Sequence, residues 1–322
     1  MFSFFERKDD IMGNRSTPPI MAKPRGKYSK KKREAIYGYL FAGPAIIGLL
    51  MWSLFPIILS LFISMTDWNV MTEWNFIGLK NYISLFIDDI YFYGSLKATF
   101  YYAGLSVVAT NIVALVLALM LNSNVRGLTF FRTCFYVPTI VPIVAQSLLW
   151  GWLYNVDYGL FNNILTAMNL PTLQWLAGES TVIPSLVIMA MWTCGGSMVI
   201  YLAGLQSVSS VLLEAVEIDG GGYRHKLLHV IFPSISPVIF FNLLMSIIGS
   251  LQVFTQAMMM TGGGPNNRSL FYSFYLYITA FRNNNMGYAC AMAWILFIIV
   301  ASISLIIFRF FKGRLYYESG EA

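Results

Sequence analysis

The chain has 322 residues, of which 57% are apolar and only 11% charged, with a mean hydropathy of +0.64. Soluble domains carry about 25% charged residues, so this composition excludes a soluble enzyme: there is too little polar surface to cover two water-exposed cores, and lipid must be part of the solvent. The formal net charge of +6 is concentrated at the start of the chain.

Residues 1–36 hold ten of the 21 basic side chains, among them Lys23, Arg25, Lys27, Lys30, Lys31, Lys32 and Arg33. This basic tail reads as an orientation signal and a contact for membrane lipid of anionic type, in preference to a nucleic-acid arm. The first apolar run starts too far along for a cleaved signal sequence. Charge-free runs then predict an all-α, polytopic membrane protein with six transmembrane helices over 37–65, 98–121, 133–155, 182–205, 235–260 and 288–310. Each reaches about 20 residues, the length that crosses the hydrocarbon. Segment 158–178 is also charge-free, but Asn162, Asn163, Asn169, Pro171 and Gln174 predict a loop with a short interfacial helix. Ser269–Phe281, about 13 residues, is too short to cross and predicts a surface or re-entrant helix. The membrane domain is thus 37–310, with a C-terminal tail over 311–322.

Six spans put both termini on one side. That side also receives Arg126, Arg132, Arg224, Lys226, Arg309, Lys312 and Arg314, which makes seventeen of the 21 basic residues; Lys80, Lys97, Arg268 and Arg282 fall opposite. The asymmetry predicts cytoplasmic termini in a bacterial-type plasma membrane. Cys134, Cys194 and Cys290 lie within spans and read as packing residues. No P-loop pattern occurs, so the chain binds no nucleotide in that manner and is expected not to be an enzyme. No ionisable side chain lies inside a span, which disfavours proton coupling. His225 and His229, four apart, lack a third ligand, so no metal site is expected.

The loop over 206–233 carries the unusual chemistry. Ser209 or Ser210 suits an N-cap, the stretch to Asp219 is helix-competent, and Gly220–Gly222 supply a stop where φ can be positive. A second helical stretch, Tyr223–Val230, precedes Pro233. Val211, Leu212, Ala215 and Ile218 share one face, flanked by Glu214 and Glu217. Such a loop either packs on its own helix ends or docks a soluble partner.

Glu214-Ala215, Asp219-Gly220, nine residues and Val230-x-x-Pro233 resemble the EAA loop of permease subunits in binding-protein-dependent ABC importers. Val216, Val230 and Phe232 are mild apolar departures from that pattern. Gly43-Pro44-Ala45 and Pro56, Ser64-Met65-Thr66-Asp67-Trp68, Phe76-Ile77-Gly78-Leu79-Lys80-Asn81-Tyr82 and Thr261-Gly262-Gly263-Gly264-Pro265 extend the resemblance to the carbohydrate uptake subfamily, related to maltose and glycerol-3-phosphate permeases. It covers about residues 38–311. The resemblance implies that Glu214, Ala215, Glu217, Asp219, Gly220 and Pro233 couple the chain to an ATPase. It also implies a second permease subunit in a heterodimer, two ATPase subunits that carry ATP and Mg, and an extracytoplasmic solute-binding protein. The chain itself is expected to hold no cofactor.

A substrate path is sought in the fifth span. At 100° per residue Asn242, Ser246, Gly249, Ser250, Gln252 and Gln256 fall within about 160°, a polar stripe that either meets substrate or bonds helix to helix. Trp150 and Trp192 are candidates for stacking on a sugar, although most membrane tryptophans are interfacial anchors. Gly263, Gly264 and Pro265, beyond the fifth span, are candidate contacts for the binding protein. The leading expectation is alternating-access import of a sugar or oligosaccharide; an importer of glycerol phosphate-type polyols and a secondary carrier or channel without ATPase are the alternatives.

Overall fold

The computed structural model describes residues 27–71, 73–123 and 126–312, so most of the basic tail and nearly all of the C-terminal tail lie outside the described residues. Two compact units divide at Ile58 and Leu59. In the first, α1 (Lys27–Leu49) passes through a π-helical stretch, Leu50–Leu54, into α2 (Phe55–Ile63). The wide turn immediately precedes Pro56, whose missing N–H breaks the regular ladder.

The second unit continues with α3 (Lys80–Ile87), α4 (Phe92–Leu121), α5 (Leu128–Ile140), α6 (Ile143–Leu153), α7 (Leu160–Ala167), α8 (Val182–Trp192) and α9 (Gly195–Gln206). There follow α10 (Ser210–Ile218), α11 (Tyr223–His225), a π-helical Lys226–Ile231, α12 (Phe232–Ser234) and α13 (Ser236–Leu251). A π-helical Ala257–Thr261, α14 (Tyr272–Tyr277) with its π-helical extension Ile278–Arg282, and α15 (Met286–Lys312) complete it.

The protein is an all-α, multi-pass membrane protein. Lys32–Ile63, Phe92–Leu121 and Met286–Phe311 are long and apolar enough to cross singly, and three bent helix pairs supply the remaining expected crossings. The sequence predicts one transmembrane helix each over 133–155, 182–205 and 235–260, and the structure breaks each of them along its length. The α5–α6 pair bends by 99° because Val141, preceding Pro142, is driven to extended backbone (ψ 131°). Gln146 stitches this break, its Nε2 donating to the carbonyls of Pro138 (2.9 Å) and Val141 (2.7 Å). The α8–α9 pair bends by 49° between Trp192 and Gly195 with no proline at the break. The segment ending in α12 meets α13 at 65°, with Pro233 and Pro237 on either side of Ile235. The fifth span also ends early, at Leu251, and helix resumes only beyond Phe254.

Helix α4 is the hub, packing against α8, α9, α13 and α14. Half of its buried residues are small, Ser95, Ala98, Ala103, Ser106, Ala114 and Ala118, and these let neighbouring backbones approach closely. The helix starts earlier than the charge pattern suggests because Asp89 caps it, Oδ1 accepting from the backbone N–H of Tyr91 (2.9 Å) and Phe92 (3.1 Å). Its Oδ2 accepts from the hydroxyls of Tyr275 and Tyr288, both at 2.7 Å. Helix α14 is no surface helix: Phe271, Tyr272 and Phe274 are fully buried. Tyr272 N–H donates to Thr99 Oγ1 (2.8 Å) and its hydroxyl to the Met292 carbonyl (3.0 Å).

At the start of α9 the packing on α5 needs glycine. A Cβ built at Gly195 would fall 2.2 Å from the Phe135 carbonyl oxygen, whereas one at Gly196 meets nothing nearer than Thr139 Cγ2 at 3.5 Å. Gly195→Ala is therefore expected to lower stability by about 1–3 kcal/mol, the range for overpacking, and Gly196→Ala to be near neutral. Thermal unfolding of the two purified variants distinguishes them.

Candidate functional site

Two features stand out: an exposed loop with a rigid corner and a polar cavity beneath the helix breaks. In the loop, Ser209 occupies the N-cap position of α10 with extended backbone, although its hydroxyl caps no N–H. The helix ends in a Schellman motif. Gly220 N–H donates to the Glu217 carbonyl (3.0 Å), Gly221 N–H to the Val216 carbonyl (2.8 Å), and Gly220 sits at φ +73°, the backbone region that favours glycine. The corner is braced by an ion pair between Glu217 and Lys226. Sequence reasoning grouped Glu214 with Glu217, but the structure separates them, since Glu214 and Asp219 are exposed without an ion-pair partner among the described residues. Val211 and Ile218 are 70% and 86% exposed, so this face packs on nothing within the described chain. Ala215 is exposed beside them. Pro233 lies in α12, two residues after the end of the π-helical stretch. The rings of His225 and His229 stack at 5.4 Å, and no third side chain of metal-ligating type joins them among the described residues.

The polar cavity, of about 450 Å³, opens where α8 passes to α9 and where α13 ends. Tyr102, Ser106 and Thr110 of α4 line it, with Thr193 and Ser197 on the second wall and Ser246, Gly249, Ser250, Gln252, Thr255 and Gln256 on the third. The stripe reasoned on one continuous helix thus lines one cavity, even though the helix breaks after Leu251. Asn242 stands apart: it is 2% exposed, its Nδ2 has no partner, and it does not line the cavity. No lining residue is acidic, basic or histidine. Broken helices are tolerated at membrane depth where the freed backbone faces such a cavity.

A hydrogen-bonded chain ties the cavity wall together. Asn111 Nδ2 donates to its own helix at the Val107 carbonyl (2.8 Å) and to Ser246 Oγ (3.0 Å), and Tyr201 donates its hydroxyl to Asn111 Oδ1 (2.8 Å). The Val107 contact fixes the amide orientation, so α9, α4 and α13 are joined in a defined donor direction. Ser246 both bonds a neighbouring helix and lines the cavity. The hydroxyls of Thr110, Thr193 and Ser250 donate back to the carbonyls of Ser106, Ala190 and Ile247.

The structure places Trp150 and Trp192 elsewhere. Their centroids are 5.8 Å apart in an aromatic group with Tyr154 and Phe161, and neither lines the cavity. Gly263 (φ +92°), Gly264 and cis Pro265 form a loop whose next residues, Asn266 and Arg268, both reach Glu179. These donors, Asn266 first and Arg268 second, hold the Glu179 carboxyl below the usual carboxylate range. Sequence reasoning missed Tyr102, Ser106 and Thr110, whose four-residue spacing on one helix was a readable signal, and Asn111, a lone amide in an apolar span. Nothing in the sequence paired Glu179 with a loop 87 residues away.

Comparison with known proteins places these features in context. Residues 110–313 match the family described as binding-protein-dependent transport system inner membrane component. The chain is 35% identical over 294 residues to the probable ABC transporter permease protein YesP of Bacillus subtilis, covering 90% of this chain and 95% of that one. It is 33% identical over 282 residues to the probable starch degradation products transport system permease protein AmyD of Thermoanaerobacterium thermosulfurigenes, covering 87% and 95%. In fold it is similar to a chain of a bacterial alginate ABC transporter crystallised with an alginate pentasaccharide-bound periplasmic protein. That match has a TM-score of 0.77 at 22% identity and covers 88% of this chain and 96% of that one.

Two outcomes follow from the geometry. Asn111→Leu leaves the buried Tyr201 hydroxyl without its acceptor, so a loss of about 1–3 kcal/mol is expected. Tyr201→Phe in the same chain should recover part of it, read as non-additivity in thermal unfolding. For Glu179 the folded-state pKa is depressed, so its tie contributes fully above the ordinary glutamate range and is lost as pH falls through the lowered value. Hydrogen-exchange protection of residues 263–268, corrected for intrinsic rates, should stay level down to that range and then drop, and Glu179→Gln should abolish the step.

Proposed function

The chain belongs to the family of binding-protein-dependent transport system inner membrane components, and from that premise we propose that it moves a neutral sugar or oligosaccharide through the polar cavity, driven by ATPase subunits docked on the Gly220 corner. It is a permease subunit of the sugar ABC importer type and not itself an enzyme. One observation carries the solute class. The cavity offers hydroxyl and amide groups without a single charged side chain, which suits a polyhydroxylated neutral solute. A glycerol phosphate would leave its anion without a cation there. A relative named for the transport of starch degradation products supports the same reading.

The mechanism is mechanical. With the termini and the 206–233 loop on the cytoplasmic side, Val211, Ala215 and Ile218 present an apolar face to a cleft on the ATPase subunit, and Glu214 meets polar or basic groups at its rim. Glu217, held by Lys226, and Asp219 at the helix end keep the two short helices at a fixed angle about Gly220, with Pro233 leading into the fifth span. When ATP and Mg close the two ATPase subunits, the loop moves as a rigid body. The bent pairs above it then switch between inward- and outward-open packings. Ser246, Gly249, Gln252 and Gln256 receive the solute during that exchange. Asn242, Trp150 and Trp192 support the walls. A second permease subunit completes the path as a heterodimer, and the loop at Gly263, Gly264 and Pro265 faces the extracytoplasmic binding protein.

Reconstituting the assembled transporter with its binding protein in vesicles tests this, with radiolabelled maltooligosaccharides and glycerol 3-phosphate as alternative probes. ATP-dependent uptake of the neutral sugar and not of the phosphate is expected. Gly220→Val forces a β-branched residue to positive φ at about 1–3 kcal/mol, so uptake should fall at least about tenfold and ATPase subunits co-purify poorly. Gly222→Ala, at ordinary φ and in open space, should behave as wild type. Wild-type uptake and co-purification with Gly220→Val would sink the coupling role.

A further inference from the structure

A feature of α4 remains outside the transport path. Lys97, Tyr101, Gly104 and Val108 follow one another at steps of four, three and four residues and so lie along one line of the helix. Lys97 and Tyr101 line a cavity of about 500 Å³ near the start of α4, which Tyr91 also borders. Gly104 and Val108 line a separate groove of about 270 Å³ whose other walls are Ile247, Leu251 and Ile303. The first cavity is of mixed character, with Lys97, Glu179 and Arg268 among its walls, and the second is almost wholly apolar; both border this line of α4 without sharing a residue.

The charges at the first cavity do not cancel. Glu179 is already paired with Arg268 and Asn266, while Lys97 is exposed and makes no ion pair among the described residues. A surplus cation therefore stands at the head of an apolar groove, with Tyr91 and Tyr101 half-exposed beside it, the aromatic residue type that settles at a membrane interface. At 1.5 Å per residue Lys97 and Val108 are separated by about 16 Å, close to the thickness of one hydrocarbon leaflet, about 15 Å. Gly104 leaves the groove unobstructed, since a Cβ there would meet nothing within 4 Å.

We infer that this face of α4 is a binding site for an anionic phospholipid, its phosphate at Lys97 and Tyr101 and one acyl chain in the Gly104 groove. The cation supplies the headgroup preference and the groove the chain contact. Lys97, Tyr101, Gly104 and Val108 do not line the polar cavity, whose α4 wall is Tyr102, Ser106, Val107 and Thr110.

The test uses the full chain purified with its associated subunits, delipidated and titrated with phosphatidylglycerol or phosphatidylcholine under native mass spectrometry. Phosphatidylglycerol should be retained preferentially. Lys97→Gln should weaken it about fivefold, the effect of one surface lysine, leaving phosphatidylcholine unchanged, and Lys97→Arg should restore it. Gly104→Leu should weaken both lipids. Excess inorganic phosphate, which has the charge without the chain, should not displace the lipid. Equal retention of both lipids by the wild type, unchanged binding in Lys97→Gln, displacement by phosphate, or a cross-link from Gly104→Cys to a second permease chain would each overturn the assignment. Lipid retention is read without ATP or sugar, so its failure is separate from any failure of the transport reading.

Discussion

Lipid offers a peptide group nothing to bond with, and this constraint governs where the chain can depart from helix. Each bend leaves carbonyls and N–H groups without their ladder partners, at several kcal/mol apiece if they stay bare in hydrocarbon. At Val141 the Gln146 side chain stands in, covering two carbonyls at once. At Thr193 and near Leu251 single hydroxyls cover single carbonyls, Thr139 that of Thr193 and Ser250 that of Ile247, and the chain there also borders the polar cavity. The breaks and the cavity go together, since irregular backbone at membrane depth needs a polar neighbour.

The same economy explains the hub. Small residues on α4 bring α8, α9 and α13 close enough for van der Waals packing, which is weak at specifying register because lipid tails pack almost as well. Register comes from the few polar links. The Tyr201–Asn111–Ser246 chain joins three helices at one level, and Asp89 joins the start of α4 to Tyr275 and Tyr288. These links have direction, so they favour one arrangement where apolar contact alone would allow several.

The six crossings were legible in the sequence because length and absence of charge are properties of a segment by itself. Breaks are only partly so. Pro142 carried a local breaker signal that the reading of one helix over 133–155 passed over, whereas Thr193 and Gln252 are not prolines and lie at bends that belong to tertiary packing, where Gly195 approaches Phe135 closely. The glycine corner could be read in advance, since a helix stop at Gly220 is local chemistry. The division of labour between Glu214 and Glu217 could not, because it depends on Lys226 arriving from the next helix. Trp150 and Trp192 carried a signal of residue type alone, and packing against Tyr154 and Phe161 absorbed it. The polar stripe survived the break in its helix because chain on either side of Gln252 faces the same space.

The hydroxyls around the cavity carry a kinetic consequence. Thr110, Thr193 and Ser250 already donate to carbonyls of their own helices, so these hydroxyls turn lone pairs to the cavity, whose donors include the amides of Gln252 and Gln256. On the proposed transport role, a solute would find acceptors on every wall but donors chiefly on one, an uneven hold that favours exit over tight capture. Discrimination among sugars would then rest on fit and on whatever delivers them, leaving this wall as a low-friction corridor.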